Sequence, residues 1–371
     1  MRPHDRSAVI IAARRTPIGK AGGALAHFAV EGLAAPVIAA VLADSGLDPS
    51  RVDDVILGNA AGPGGNPARL SALAAGLPVT VPGVTVDRQC GSGLEAVNLA
   101  ARLIEAGAGE VYVAGGVESV STAASPNHRA RFAPEAVGDP DMGEAAENVA
   151  VAAGISRARQ DAFALRSHQK AVAAQAAGRF DDEIVVLGDV TRDQNPRPDT
   201  SMAALGKLPP VFRPDGTVTA GNSCPRNDGA SAVVIVSCRL WRTMKKTEGL
   251  WVVDSAAAGV APALLGLGPV PATAKLLART GLGIDAVDVI EFNEAFAGQV
   301  IACLDRIGAM EDQVNVGGGA LALGHPYGAS GATLMVRLFT ELIRRNGGEA
   351  GLATIGIGGG MGLATLVRRL D

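Results

Sequence analysis

Val52-Asp53-Asp54-Val55-Ile56-Leu57-Gly58-Asn59 and, far downstream, Ala286-Val287-Asp288-Val289-Ile290-Glu291-Phe292-Asn293 share one pattern: an acidic lead, an apolar run and a closing asparagine. Each follows a similar tripeptide, Ser45-Gly46-Leu47 in the first case and Thr280-Gly281-Leu282 in the second. A further echo lies beyond them, where Cys90-Gly91-Ser92-Gly93 and Gly328-Ala329-Ser330-Gly331 each open a helical stretch. These matches keep an offset of about 235 to 240 residues. One duplicated unit explains a shared offset better than separate coincidences do.

Around the first copy, short apolar runs alternate with longer Ala/Leu-rich stretches. Residues 8–13, 52–57, 84–86 and 110–114 read as strands, and 32–45 and 92–106 as helices. Such alternation predicts right-handed βαβ units and an α/β sheet covered on both faces. Residues 121–220 differ in character: helices are expected over 143–153 and 156–177, followed by a polar, proline-containing run over 191–200. The expected organisation is an N-terminal half over 1–120 completed by about 221–246, an inserted loop domain over 121–220, and a C-terminal half over 247–371. Insertions on a rigid scaffold often carry binding.

The chain has 371 residues, more than one hydrophobic core usually organises, so two or more lobes are expected. Net charge is −4 and aromatics are 3%, so neither the basic excess nor the stacking residues of a nucleic-acid binder are present. The four cysteines show no CxxC spacing, and the five histidines form no HxxxH pair, which leaves a disulfide framework or a zinc site without support. Residues 1–7 are polar with no apolar core of a signal peptide behind them, and the longest uncharged stretch, 255–274, is broken by three prolines. A cytoplasmic protein with no membrane partner is expected.

Four motifs carry candidate chemistry. Cys90 in Asp87-Arg88-Gln89-Cys90-Gly91-Ser92-Gly93 stands between an apolar strand and a helix, where the dipole and free N–H groups favour a thiolate. A buried structural cysteine at a tight turn fits the same residues. His325, in a glycine-rich loop before the helix opened by Gly328, is expected to be partly exposed and able to serve as base or oxyanion donor. Asn293 closes an apolar strand, where α/β sheets place ligands; a helix cap is the plainer alternative. Gly356-Ile357-Gly358-Gly359-Gly360-Met361-Gly362 offers open backbone N–H groups, whereas a dinucleotide fingerprint fails because Met361 takes its third glycine position.

Together, in this order, the motifs resemble those of the thiolases: CGSG around Cys90, NEAFA from Asn293, GGALALGHPYGASG around His325, and the terminal GGGMG. The resemblance spans nearly the whole chain. It implies the thiolase fold: two duplicated βαβαβ-type halves forming a five-layered α-β-α-β-α core, with an inserted loop domain. It implies an acetyl-CoA C-acetyltransferase or 3-ketoacyl-CoA thiolase that works through an acyl-Cys90 intermediate. His325 would activate Cys90 and, with a water held by Asn293, form one oxyanion hole; the N–H groups of Cys90 and Gly358 would form the other. Met142, Ala220, Ser223, Cys224 and Phe296 would line the path of the coenzyme A thioester, which is substrate and not a permanently bound cofactor. A homodimer or homotetramer is expected.

The chain departs from that family at Gly356, where thiolases carry a second cysteine that moves the proton in carbon–carbon bond making and breaking. Glycine offers no base, and a positioned base contributes about 10²–10⁴-fold. Cys224 stands where a serine is common, Pro209 where some members have arginine, and Asp141 where some have histidine. Two alternatives therefore stay open. One is a divergent acyltransferase that passes the acyl group to another acceptor, hydrolyses it or condenses by decarboxylation; the other is a non-catalytic acyl-CoA-binding subunit.

Overall fold

The computed structural model describes residues 2–123 and 131–371; Met1 and residues 124–130, part of the expected insertion, lie outside the described residues. In the first half the strands are β1 (Ala8–Arg15), β2 (Gly19–Lys20), β3 (Asp54–Gly58), β4 (Gly83–Val86), β5 (Val111–Ser119) and β6 (Asn227–Ser237). The second half supplies β7 (Gly249–Gly259), β8 (Val289–Phe292), β9 (Ala350–Ile357) and β10 (Met361–Leu370). Helices α1 (Val30–Ser45), α2 (Pro67–Ala74) and α3 (Ser92–Ala106) are followed by α4 (Met142–Ala152), α5 (Arg157–Ala176), α6 (Met202–Leu205) and α7 (Cys238–Trp241). Then come α8 (Pro269–Thr280), α9 (Ala297–Ile307), α10 (Ala320–Leu323) and α11 (Tyr327–Phe339).

The strands run in the order β4-β3-β5-β6-β1-β7-β10-β9-β8, with β2 beside β6. Pairing is mixed: β3 is parallel to β4 and β5, and β8 to β9, while the remaining pairs are antiparallel. The two halves meet where Ala8–Ile10 pairs with Leu250–Val252.

Three cores separate five layers. The central one joins α3 and α11 to strands of both halves through Ile56, Leu94, Val233, Leu334, Ile355 and Leu363. Val37, Ile38 and Leu57 head the outer core on the α1 side; Leu276, Val300 and Phe292 head that on the α8/α9 side. This is the expected α-β-α-β-α stack.

The duplication is visible in detail. Gly46 ends α1 at φ 70° and Gly281 ends α8 at φ 68°, left-handed positions that glycine occupies without a Cβ penalty. Asp53 Oδ2 accepts the N–H groups of Glu110 (2.7 Å) and Val111 (2.9 Å); Asp288 Oδ2 accepts those of Glu349 (2.7 Å) and Ala350 (2.9 Å). α3 and α11 touch through backbone: a Cβ on Gly93 would fall 2.7 Å from Gly328 O, and one on Gly331 only 2.4 Å from Leu94 N. These glycines fix how closely the helices of the Cys90 and His325 motifs approach.

The intervening segment is bound to the core by a buried ionic cluster. Arg15 donates to Glu183 (2.7 Å) and Asp193 (2.7 and 2.9 Å), Arg337 to Glu183 (2.5 Å), and both guanidinium groups stack on Phe180. Removing one partner of such a pair strands a buried charge, at a cost of about 3–5 kcal/mol. No helix among the described residues is long and apolar enough to cross a membrane.

Candidate active site

Cys90 stands between β4 and α3 on a turn braced by its own side chains. Asp87 Oδ1 accepts Gln89 N–H (2.7 Å), and Ser92 Oγ accepts Arg88 N–H (2.8 Å) while donating to Gln89 O (2.6 Å). Those bonds hold Gln89 at φ 50°, an uncommon conformation for a side-chain-bearing residue. The Cys90 sulfur accepts N–H groups from Gly358 and from its own backbone. Burial nonetheless pushes the thiol up to about 12. The expectation of a standing thiolate at the helix N-terminus is thus corrected: desolvation outweighs the two N–H bonds, and Cys90 rests as a neutral thiol.

His325 is also deeper than expected, at 2% exposure instead of partly open. Its N–H donates to Asn227 Oδ1 (2.9 Å), and Asn227 Nδ2 donates in turn to Gly19 O (2.7 Å). The ring Nδ1 lies 2.6 Å from Ser330 Oγ, whose single proton goes to Pro326 O (2.9 Å). Nδ1 therefore carries the ring proton and donates, which leaves Nε2 as a lone pair with no partner among the described residues. Burial lowers the imidazole to about 4, so it is a neutral base at ordinary pH.

Asn293 ends β8, its N–H on Thr354 O (3.1 Å), and its buried Nδ2 finds no partner among the described residues. It is not a helix cap: α9 begins at Ala297 with Phe296 as N-cap and no side-chain capping bond. Neighbouring Glu294 accepts Ser167 Oγ (2.6 Å), Asn315 Nδ2 (2.7 Å) and Leu321 N–H (3.2 Å), tying this strand end to α5 and α10. Gly358 follows β9, and the ring of Phe132 lies 3.4 Å from where a Cβ on Gly358 would stand. Gly356 is partly open between buried Ile355 and Ile357. A Cβ there would lie 3.1 Å from Gln299 Nε2 and 3.6 Å from Gly266 O.

The expected binding residues divide into two groups. Ala220 and Ser223 line a cleft of about 440 Å³ together with Lys20, Arg197 and Arg226. Cys224, next to Ser223, donates its N–H to Ala295 O (2.9 Å); burial raises its thiol, and it lies close enough to Cys90 for ionisation of one sulfur to oppose that of the other. Met142 opens α4, whose N-cap is Asp141, and is not among the cleft-lining residues. Phe296 pairs with Ser223 through a backbone bridge, and its ring meets Phe212 edge-on at 6.2 Å.

Two functional candidates escaped the sequence reading. Glu118, fully buried, accepts N–H groups of Ala60 (3.1 Å), Ala61 (3.1 Å) and Gly328 (2.9 Å), joining the β3 end to the start of α11; burial raises it to about 7. Its only signal was a carboxylate after two glycines in an apolar strand. Gln299 is a polar residue in the apolar first turns of α9, and both its amide atoms are buried without a partner among the described residues. Among the described residues no cluster of His, Cys, Asp or Glu could hold a metal ion.

A thiol whose sulfur accepts backbone N–H groups from Gly358 and from itself suits the acceptance of an acyl group; the protein is an acyltransferase of the thiolase type. The family profile "Thiolase, N-terminal domain" matches residues 8–239 and "Thiolase, C-terminal domain" matches residues 249–369, and the chain belongs to the thiolase family. YhfS of Bacillus subtilis (strain 168) is 48% identical over 365 residues, covering 97% of this chain and 98% of its own. The beta-ketoadipyl-CoA thiolase of Pseudomonas aeruginosa is 46% identical over 401 residues, 99% of this chain and 100% of its own. The crystal structure of the Bacillus anthracis acetyl-CoA acetyltransferase superposes with a TM-score of 0.92 at 38% identity, covering 98% of this chain and 99% of that one.

Proposed function

We propose that the protein takes an acyl group, acetyl first among them, from a coenzyme A thioester onto Cys90 and passes it to an acceptor. One observation carries this reading: the Cys90 sulfur sits on the N–H groups of itself and Gly358, while His325 keeps a bare Nε2. Sγ attacks the thioester carbonyl as its proton passes to Nε2. The oxyanion then takes the two N–H groups that the sulfur holds at rest. Coenzyme A leaves with the proton from His325. Asn293 Nδ2 supports a water that donates to the carbonyl of the next acyl group, forming a second oxyanion site.

Gly356 stands where a proton-moving thiol would be needed for carbon–carbon bond making or breaking. Acylation does not need that thiol, so the acyl-enzyme forms readily and its transfer to carbon is slow. Intact-protein mass spectrometry after mixing with acetyl-CoA tests the reading. An acetyl adduct absent from Cys90→Ala is expected; an unmodified wild-type chain would sink the proposal and leave acyl-CoA binding alone.

The cleft lined by Ala220 and Ser223 suits pantetheine, and Lys20 and Arg197 on its wall suit the nucleotide phosphates. Lys20→Ala and Arg197→Ala are each expected to raise KM for acetyl-CoA roughly tenfold, the worth of one charge-assisted bond. The KM for acetyl-pantetheine, which has no nucleotide, should stay put; an equal rise for both thioesters would remove these cations from phosphate recognition.

We further read the protein as a cytoplasmic homo-oligomer whose halves divide near residue 247, with 121–220 as the inserted domain. The outer edge of β4 ends the sheet, and Leu70, Leu73, Val79 and Val84 are exposed at 46%, 42%, 78% and 41% on and beside α2 and β4. A second copy pairing here would cover an apolar edge that otherwise invites aggregation. Light scattering should give a dimer or tetramer, and Leu73→Arg with Val84→Asp a monomer; an unchanged mass would place the interface elsewhere.

A further inference from the structure

Gln299 is 1% exposed, yet neither Nε2 nor Oε1 meets a partner among the described residues. An unsatisfied buried amide costs about 1–3 kcal/mol per group, so a carboxamide left whole in this way marks a place for a hydrogen-bonding ligand. The amide is aimed: Nε2 is 3.1 Å from where a Cβ on Gly356 would stand, and its stem lies against Gly266. Gly266 O, 3.6 Å from the same point, accepts Cys303 Sγ at 3.3 Å and keeps a second lone pair. Pro269 Cδ, at 3.7 Å, closes the far side. The niche has room for about one heavy atom and two polar groups to hold it, Gln299 Nε2 and Gly266 O, which meets the least that an ordered water needs. It opens at Gly356, two residues along the strand from the N–H that grips Cys90, about 7 Å away.

We propose that this niche seats a water molecule that attacks the acyl group on Cys90, so that the protein also hydrolyses acyl-coenzyme A. The inference rests on the acyl-Cys90 reading. The water oxygen adds to the acyl carbonyl, and its proton passes to His325 Nε2, since a neutral carboxamide can hold a water but not deprotonate it. The oxyanion lies on the Cys90 and Gly358 N–H groups. The carbon–sulfur bond then breaks, the thiolate recovers the proton from His325, and a carboxylic acid leaves. Over one cycle acyl-CoA and water become the acid and free coenzyme A, with no other reactant.

The test is to form the acetyl adduct in H₂¹⁸O with limiting acetyl-CoA and follow adduct and acetate by mass spectrometry. Gly356→Ala fills the niche with a methyl group, and Gln299→Met removes the amide at similar size. Wild-type adduct should decay to acetate carrying one ¹⁸O, and both variants should still form the adduct but hold it at least about tenfold longer. Decay at the wild-type rate in Gly356→Ala, whose added methyl meets no backbone atom closer than Gly266 O, would overturn the inference even if Gln299→Met folds poorly. Acetate without ¹⁸O would overturn it as well. Absence of any adduct in all three proteins would instead strike the acyl-Cys90 reading on which it stands.

Discussion

Gly356→Cys is expected to raise the rate of acetoacetyl-CoA cleavage by about 10²–10⁴-fold, the usual worth of a positioned proton-transfer group. The backbone can take the change. Gly356 is a strand residue outside the left-handed region, and among the described residues the only atom within 3.4 Å of its new Cβ is the end of the Gln299 side chain. The sulfur would enter the space assigned above to water, so the same variant should lose hydrolysis as it gains thiolysis. A thiolysis assay with coenzyme A in excess, run beside Gly356→Ser, checks both. Serine has similar size but a hydroxyl too weakly acidic to exchange a proton readily, and it should leave cleavage slow. Should Gly356→Cys also stay slow, residue 356 does not limit the carbon–carbon step, and Cys224 becomes the next thiol to replace.

His325→Ala should slow acylation of Cys90 by about 10²–10⁴-fold in single-turnover experiments, with the adduct still forming on the same cysteine. The pH dependence follows from the two groups at rest. His325, lowered to about 4, remains the neutral base down to mildly acid pH; protonation below that removes it, and the acylation rate should fall through pH 4. Cys90, raised to about 12, stays a thiol throughout the neutral range, so no alkaline rise should appear near pH 8 to 9. Iodoacetamide should accordingly alkylate Cys90 slowly near neutral pH. A rising limb near an ordinary thiol pKa, or rapid alkylation, would mean a thiolate already present before substrate arrives.

Much of the architecture was open to reading because its local signals agree with its packing. Residues 92–106 form the expected helix end for end, and the repeated acidic lead of 52–59 and 286–293 proved to be two aspartates with the same backbone-capping task. The strands expected over 52–57 and 110–114 shift toward their C-terminal ends in the fold, since register depends on partners far away in the chain. The titration of Cys90 and His325 was not legible, because it depends on desolvation by cores drawn from both halves. Gln299 was hidden for a related reason: a glutamine in a helix looks like a surface residue until both faces of that helix are found covered.

The helix contact through Gly93 and Gly331 bears on how the protein comes to be reactive during synthesis. Cys90 belongs to the first half and His325 to the second, 235 positions later. At translation speeds of about 5–20 residues per second, the cysteine emerges roughly 12 to 47 s ahead of the histidine. Until the second half settles against the first, no Gly358 N–H reaches the sulfur. The nascent N-terminal half therefore carries an unassisted thiol among the cell's thioesters, and docking of the last hundred residues is what arms it.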